Sequence, residues 1–235
     1  MPETTRRPRF LLVHGAWHQP SCWETLREVL AADGWDSETV ELPSSGPQDS
    51  RPTAGLFDDA RVIGERIAQM EGPVVLVGHS YGGLPVTQAA AEHPHLAHIV
   101  YLAAYLPDEG QSMYDIHGLP LPDDLDTTFP PIPDPRNSLY GDLPDDAAER
   151  AVGNLVDQTT RSCAERVTRA GWKTVPSTYI VCERDHALPP ELQGTMSQHA
   201  GTVVRLATGH SPMLSAPREL AALLTDAASS VQNGS

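Results

Sequence analysis

The sequence predicts an α/β fold built on a mostly parallel, six-stranded sheet with helices on both faces. Two observations carry this prediction. Short apolar runs alternate along the chain with segments whose apolar residues recur at helical spacing. The apolar runs are continuous rather than alternating, which is typical of strands buried on both faces of a parallel sheet. Strands and helices that alternate in this way form one sheet with helices packed on both sides.

The first half of the chain supplies three strands and two helices. Glycine ends the first helix, and threonine is a favoured residue for opening the second, whose apolar residues lie three and four positions apart. In order, we predict a strand at Arg9–Val13, a helix at Pro20–Gly34, a strand at Trp35–Leu42, a helix opened by Thr53 and continuing to Met70, and a strand at Val74–Val77.

The second half supplies the remaining three strands. They are predicted at Leu96–Leu106, Ser177–Glu183 and Thr202–Thr208. One helix is expected from about Pro190, between the last two strands, and another from about Ala216 to Ser230. These elements complete the alternating pattern.

Residues 107–171 interrupt the alternation. Prolines crowd the segment from 120 to 144, and a helical stretch is expected from about Ala147 to Ala170. A structureless loop of this length is improbable inside a compact domain. We therefore predict a core of residues 1–106 and 172–235, with residues 107–171 inserted as a cap over the carboxyl edge of the sheet, where parallel sheets bind ligands. The alternative is a disordered linker.

Composition limits the partners and the compartment. The chain has 31 acidic and 16 basic residues, a formal charge of −15, which argues against nucleic acid or an anionic membrane as a partner. Its three cysteines are widely spaced, so they suggest neither a disulfide framework nor a zinc site. No segment has the pattern of a signal peptide or a membrane span, and we expect a cytoplasmic location. The oligomeric state stays open, a homodimer included.

A glycine-rich motif follows the third strand directly. Gly78, Ser80 and Gly82 form the pattern G-x-S-x-G, in which a tight strand-to-helix turn presents the serine. A helix is predicted from Tyr81 to about Glu92, and its N-terminal end would lie beside the serine oxygen. The sequence therefore predicts Ser80 as a nucleophile.

A nucleophilic serine needs a base, and a histidine base is best oriented by a carboxylate. His210 is the one histidine in the loop after the last predicted strand. Asp185 lies at the end of the fifth strand, and the step of 25 residues from it to His210 leaves room for one helix and one strand. Asp108, after the fourth strand, is the alternative acid, but it begins the cap and nothing else supports it.

Two backbone donors are needed to stabilise the oxyanion that forms when a serine attacks a carbonyl. Tyr81, which follows the nucleophile, supplies one. Ala16, in the turn after the first strand, is the natural source of the other. His79 is expected to point away and to be structural. A metal site at His93, His95 and His98 is disfavoured because Pro94 ends a helix between them.

Four stretches together resemble one superfamily: "LLVHGAWHQPSCW", "LVGHSYGG", "STYIVCERDHALPPELQ" and "GHSPMLSAPREL". They are similar to the α/β hydrolases, and in particular to the branch that holds plant methylesterases, the salicylate-binding esterase, hydroxynitrile lyases and bacterial arylesterases. The resemblance implies the α/β-hydrolase fold. It also implies that Ser80, Asp185 and His210 form the catalytic triad.

The same resemblance assigns the residues around the triad. Ala16 and Tyr81 would be the oxyanion donors, and Trp17 and His18 would bind substrate near the acyl site. No metal and no organic cofactor is implied.

The branch contains both esterases and cyanohydrin lyases. The lyases carry threonine directly after the first-strand histidine and lysine directly after the catalytic histidine. This chain has Gly15 and Ser211 at those positions. We therefore predict a serine hydrolase for small carboxylic esters, whether methyl esters, aryl esters or lactones. The alternatives are a hydroxynitrile lyase, another non-hydrolytic biosynthetic enzyme such as a cyclase, and a ligand receptor.

Overall fold

The computed structural model describes residues 7–46, 53–93 and 96–233. Six of its strands form one sheet in the order β2-β1-β4-β5-β8-β9, with every neighbouring pair parallel. The predicted six-stranded parallel sheet is confirmed. The strands of the described residues are β1 (Arg9–Val13), β2 (Ser37–Val40), β3 (Ser45–Gly46), β4 (Val74–His79), β5 (Leu96–Leu102), β6 (Thr128–Phe129), β7 (Asp157–Thr159), β8 (Ser177–Cys182) and β9 (Thr202–Leu206).

Helices cover both faces of this sheet. None in the described ranges is both long enough and apolar enough to cross a bilayer. The helices are α1 (Glu24–Ala32), α2 (Leu56–Gln69), α3 (Gly83–Ala89), α4 (Met113–His117), α5 (Pro135–Tyr140), α6 (Asp145–Gly153), α7 (Thr160–Ala164), α8 (Pro190–Met196), α9 (Pro212–Ser215) and α10 (Pro217–Asn233).

Alternate residues of each central strand enter two separate cores, because successive strand side chains point to opposite faces. On one face, Leu11 and Leu76 pack with α2 and α3. On the other, Leu12 and Val77 pack with α1 and α10. Burial on both faces explains why the strands are continuous apolar runs in the sequence.

The start of α2 differs from the prediction. Thr53 does not cap the helix; Gly55 precedes its first turn, and the carboxylate of Asp58 accepts a hydrogen bond from the Gly55 N–H at 3.0 Å. Glu165, the residue directly after α7, approaches the same end and accepts a hydrogen bond from the Phe57 N–H. The free N–H groups of the helix are thus satisfied by carboxylates rather than by a threonine hydroxyl.

Residues 107–171 contain α4 to α7 and strands β6 and β7. Strands β3, β7 and β6 form a small antiparallel sheet that joins this segment to the loop after β2. The helical stretch expected from Ala147 to Ala170 is wrong, because α6 ends at Gly153 and Asp157–Thr159 pair as a strand. The boundaries of the proposed cap at 107 and 171 stay a prediction.

Candidate active site

Ser80 occupies the sharp turn between β4 and α3. Its φ of 53° lies in the left-handed region, which is strained for a residue with a side chain. The turn can form because its neighbours are small: a Cβ at Gly82 would lie 2.5 Å from the carbonyl oxygen of His14. The carbonyl of Ser80 also accepts a hydrogen bond from the Tyr105 N–H at 3.0 Å. The strain at Ser80 is therefore held by contacts to two neighbouring loops.

His210 and Asp185 lie next to each other at the carboxyl edge of the sheet. Asp185 follows β8 and His210 follows β9, so adjacent parallel strands bring the two loops together. Nδ1 of His210 donates to Oδ2 of Asp185 at 2.7 Å, and both side chains are buried. This bond fixes the imidazole so that Nε2 is the nitrogen free to exchange a proton.

The carboxylate of Asp185 is held by three further donors. Its Oδ1 accepts from the N–H groups of Ala187 and Leu188, both at 2.8 Å. Its Oδ2 also accepts from the side-chain amide of Gln193 at 3.0 Å. Gln193 is fully buried in α8, and the sequence analysis missed it, because an exposed and a buried glutamine look the same in a sequence.

His79 also contacts the histidine loop. Its Nε2 donates to the backbone carbonyl of His210 at 2.8 Å, and the two rings lie 4.7 Å apart. His79 was expected to point away from the nucleophile and to be structural; its ring lies against the loop of His210 and bonds the backbone of that loop, which is a structural role. Burial lowers the pKa of His79 well below its ordinary value, so this imidazole is a neutral donor that supports the position of His210.

Asp108 lies elsewhere. Its carboxylate is exposed and forms an ion pair with Lys173 at 2.6 Å, and the hydrogen bond from this lysine lowers the pKa of Asp108. The structure brings Asp185, and not Asp108, to His210.

Ser80 and His210 line the same pocket, which has a volume of about 70 Å³. Ala16, Trp17 and Tyr81 line it as well, so the residues predicted as oxyanion donors border the nucleophile. The indole of Trp17 contacts Phe129 edge to face at 5.8 Å. The pocket contains no Asp, Glu, Lys or Arg; its remaining lining residues are Tyr105, Met113, Phe129, Ile132, Leu139, Ala187 and Leu188.

His18 does not line this pocket. Its Nδ1 donates to the carbonyl of Ala16 at 2.8 Å, and its Nε2 accepts from the hydroxyl of Tyr140 at 2.9 Å. Burial lowers the pKa of His18 to about 3 and that of His14 to about 4, so both rings are neutral near pH 7. His18 and Tyr140 instead form part of the wall of a second cavity of about 330 Å³.

Among the described residues, no three side chains of His, Cys, Asp or Glu are placed to bind a metal ion together. His95, of the sequence HPHLAH, lies outside the described residues.

The arrangement at the sheet edge consists of a strained serine, a histidine bonded to a carboxylate, and two bordering backbone segments. These are the groups that acyl transfer through a serine requires.

Comparisons with known proteins identify the family of this chain. The model of the alpha/beta hydrolase family matches residues 10–223. The chain is 30% identical to "Probable hydrolase R7" of a Phoma species, over 94% of this chain and 98% of that protein. It is 29% identical to Methylesterase 1 of Arabidopsis thaliana, over 94% of this chain and 95% of that one.

A solved structure is also similar. The pyrethroid hydrolase of Sphingobium faniae superposes with a TM-score of 0.81 at 25% identity, covering 94% of this chain and 97% of that one. Its fold and its hydrolytic activity agree with the resemblance that the sequence motifs suggested. The chain belongs to the alpha/beta hydrolase family.

Proposed function

We propose that this protein hydrolyses small carboxylic esters through an acyl-enzyme on Ser80. The observation that carries the proposal is the hydrogen bond between His210 and Asp185 beside a pocket that His210 shares with Ser80. The hydrolases and methylesterases among its relatives support it.

The proposed reaction has two halves. Oγ of Ser80 attacks the ester carbonyl carbon while Nε2 of His210 takes the hydroxyl proton, and the N–H groups of Ala16 and Tyr81 stabilise the oxyanion. The C–O bond to the alcohol then breaks, and His210 returns the proton to the departing alkoxide. In the second half a water molecule attacks the acyl group, His210 accepts its proton, and Ser80 regains a proton as the carboxylic acid leaves.

The lining of the pocket indicates the class of ester. The pocket is small and mostly apolar, and no Asp, Glu, Lys or Arg lines it. The one charge expected there is the positive charge that His210 gains when it takes the proton of Ser80. An ester that carries a carboxylate or an ammonium group would lose its hydration there without gaining an ionic partner. We therefore propose an uncharged ester with a small apolar acyl group, whether a methyl ester, an aryl ester or a lactone. In this proposal Trp17 contacts the ester directly. His18 does not contact the ester; it supports the pocket through its hydrogen bonds to Ala16 and Tyr140.

The position of Gly15 favours hydrolysis over cyanohydrin cleavage. A Cβ at this residue would lie 2.8 Å from the Cβ of Ser80 and 3.1 Å from Nδ1 of His79, so the threonine of the lyases does not fit without a shift. Ser211, next to His210, offers no cation to hold a departing cyanide.

We also propose a reducing cytoplasmic location, which suits three cysteines that are all free.

Ser80→Ala tests the proposed nucleophile. On p-nitrophenyl, methyl and lactone substrates, the wild-type enzyme should hydrolyse at least one, and its rate should not change with EDTA. The variant should keep the fold and lose roughly 10⁴-fold or more in kcat, as expected when a triad nucleophile is removed. Circular dichroism checks the fold. An unchanged kcat in the folded variant contradicts the proposal.

Mandelonitrile separates the esterase from the lyase. We expect release of nitrophenolate from p-nitrophenyl acetate and no enzyme-dependent release of benzaldehyde from mandelonitrile. The opposite pair of results would assign the protein to the lyases.

A further inference from the structure

Asp59 is a fully buried carboxylate that the proposed mechanism does not use. It lies in the first turn of α2 and accepts three hydrogen bonds. Its Oδ1 accepts from the Ser44 N–H at 3.0 Å. Its Oδ2 accepts from the hydroxyl of Ser44 and from the phenol of Tyr81, the latter at 2.6 Å. A buried carboxylate with three donors indicates a built site rather than a chance contact.

One branch of this network leads to the residue after the nucleophile. Tyr81 is the residue whose backbone N–H is the proposed oxyanion donor, and its ring is fully buried. Its phenol group is anchored on Asp59, so both ends of the residue are fixed: one by the turn at Ser80, the other by the carboxylate.

The second branch leads to the other oxyanion segment. The side-chain amide of Gln158, in β7, donates to the hydroxyl of Ser44 at 2.8 Å. The oxygen of the same amide accepts from the hydroxyl of Ser45 at 2.6 Å and from the Trp17 N–H at 3.4 Å. Trp17 follows Ala16 and has a φ of 63°, so its backbone is strained and needs a fixed partner. Asp59 is therefore linked to both segments that border the nucleophile.

The charges around Asp59 do not neutralise it. The titratable groups that face it are the phenol of Tyr81, the thiol of Cys163 on α7, and Asp58 on its own helix. Among the described residues no Lys, Arg or His forms an ion pair with Asp59. Burial raises the pKa of Asp59 to about 7, against the opposing effect of the hydrogen bonds from Ser44 and Tyr81.

Protonation would disturb this arrangement because all the partners of Asp59 are donors. The Ser44 N–H cannot become an acceptor, and a proton on the carboxyl group would require one of the two hydroxyls to turn around. Only the ionised carboxylate accepts all three hydrogen bonds at once.

We propose that ionised Asp59 is a positioning residue that holds Tyr81 and, through Ser44 and Gln158, the Trp17 segment in the geometry that stabilises the oxyanion. This proposal rests on the proposed ester hydrolysis. Asp59 does not touch the substrate; it acts through the residues that border it.

The test is the ratio of kcat/KM between the wild type and Asp59→Asn, measured with p-nitrophenyl acetate from pH 5.5 to 8.5. The wavelength is one at which nitrophenol and nitrophenolate absorb equally. We expect a ratio of roughly ten at pH 8.5, less than the loss caused by removing an oxyanion donor, because the donor is displaced and not deleted. The ratio should fall towards one at pH 5.5, where the wild-type carboxyl group is also uncharged. Ionisations shared by both enzymes cancel in the ratio.

Asp58→Asn is the matched control, since it removes the neighbouring carboxylate, which accepts a hydrogen bond from Gly55 and none from Tyr81. Its kcat/KM should equal that of the wild type at pH 8.5, where Asp59 is ionised in both proteins. A second readout is the inhibition constant of phenyl trifluoromethyl ketone, which adds to the serine as a tetrahedral oxyanion. Asp59→Asn should weaken this inhibitor roughly tenfold at pH 8.5 and leave phenyl methyl ketone unchanged.

A ratio that does not vary with pH, or an unchanged inhibition constant, overturns the proposal. If Asp59→Asn does not fold, Tyr81→Phe is measured in its place, because it removes the hydrogen bond between Tyr81 and Asp59. Tyr81→Phe should then lose roughly tenfold in kcat/KM at pH 8.5. A fully active Tyr81→Phe overturns the proposal. Failure of the proposed function is distinct, because it would appear as a wild-type protein without esterase activity.

Discussion

At the scale of single residues, the environment of Asp185 separates it from the other carboxylates near the sheet edge. It is buried, it accepts from two backbone N–H groups, and it holds both Gln193 and His210. Asp108 is exposed and is paired with Lys173. A buried carboxylate fixed by several donors can orient an imidazole, whereas an exposed one can rotate freely in water.

Asparagine substitution at each position tests the acid. Asp185→Asn should lower kcat by about 10⁴-fold, because an amide can present an N–H to Nδ1 and select the wrong tautomer. Asp108→Asn should leave kcat within about twofold, since surface ion pairs contribute little. Steady-state kinetics on the same ester measures both. A larger loss for Asp108→Asn would place the acid after β5 and contradict the assignment.

Residue identities that depend on chain order could be predicted, and those that depend on packing could not. The glycine pattern selected Ser80, and the order of strands selected Asp185 and His210. Nothing local distinguishes Gln193 or Asp59 from the many polar residues on helix surfaces. Their roles arise because α8 and α2 turn these side chains inward, which is a property of tertiary packing.

At the scale of secondary-structure elements, α3 packs closely on the loop after β5. A Cβ at Gly83, the first residue of α3, would lie 2.0 Å from the carbonyl oxygen of Tyr105. Gly194 lies inside α8, and a Cβ there would have nothing within 4 Å. The two glycines therefore have opposite physical roles: one is required by packing, and the other only adds flexibility.

Alanine at these two positions should change stability in opposite directions. Gly83→Ala should lower the free energy of unfolding by about 2 kcal/mol or more, because the backbone of α3 must move away from Tyr105. Gly194→Ala should raise it by about 0.5–1 kcal/mol, the difference in helix propensity. Urea denaturation measures both. Equal effects of the two substitutions would contradict the close packing of α3.

Elements with a strong local signal were predicted well, and those without one were not. The strand at Arg9–Val13 has the predicted ends, because its apolar run Phe10–Val13 lies between Arg9 and His14. Strands β3 and β6 contain two residues each and β7 contains three, too few for any period in the sequence. They exist only because distant segments pair, so the region from 147 to 170 was predicted as helix instead.

At the scale of the whole molecule, buried histidines and a buried carboxylate couple folding to pH. In the folded protein, burial lowers the pKa of His14 to about 4 and that of His18 to about 3, and it lowers the pKa values of His79 and His98 below the ordinary value. In the unfolded chain they are protonated below about pH 6.5. Asp59 has the opposite effect on the pH dependence of stability. Its raised pKa keeps it protonated in the folded protein at a pH where the unfolded chain has lost that proton.

Between about pH 4.5 and 6, unfolding therefore takes up protons at the buried histidines and releases one at Asp59. Because the histidines outnumber the single carboxylate, the free energy of unfolding should fall as the pH is lowered from 6 to 5, by about 1.4 kcal/mol per pH unit for each net proton taken up. Urea titrations at pH 5 and pH 6, followed by tryptophan fluorescence, measure this slope. Asp59→Asn should steepen it, because the opposing release of a proton at Asp59 is removed. Equal stability at the two pH values would show that the histidines are not buried as described.

The small antiparallel sheet has a consequence for the continuity of the chain. Ser45 and Gln158 lie 113 residues apart in sequence yet bond directly, and β8 pairs with β5 across the same stretch. Residues 117–121, which lie between β5 and β8 in the sequence, are exposed. A protease cut there would leave two fragments that share both sheets, so the nicked protein would migrate as one particle under native conditions. We therefore expect the covalent link through the exposed stretch to be dispensable once the fold has formed, which makes this stretch the place to open a new pair of termini.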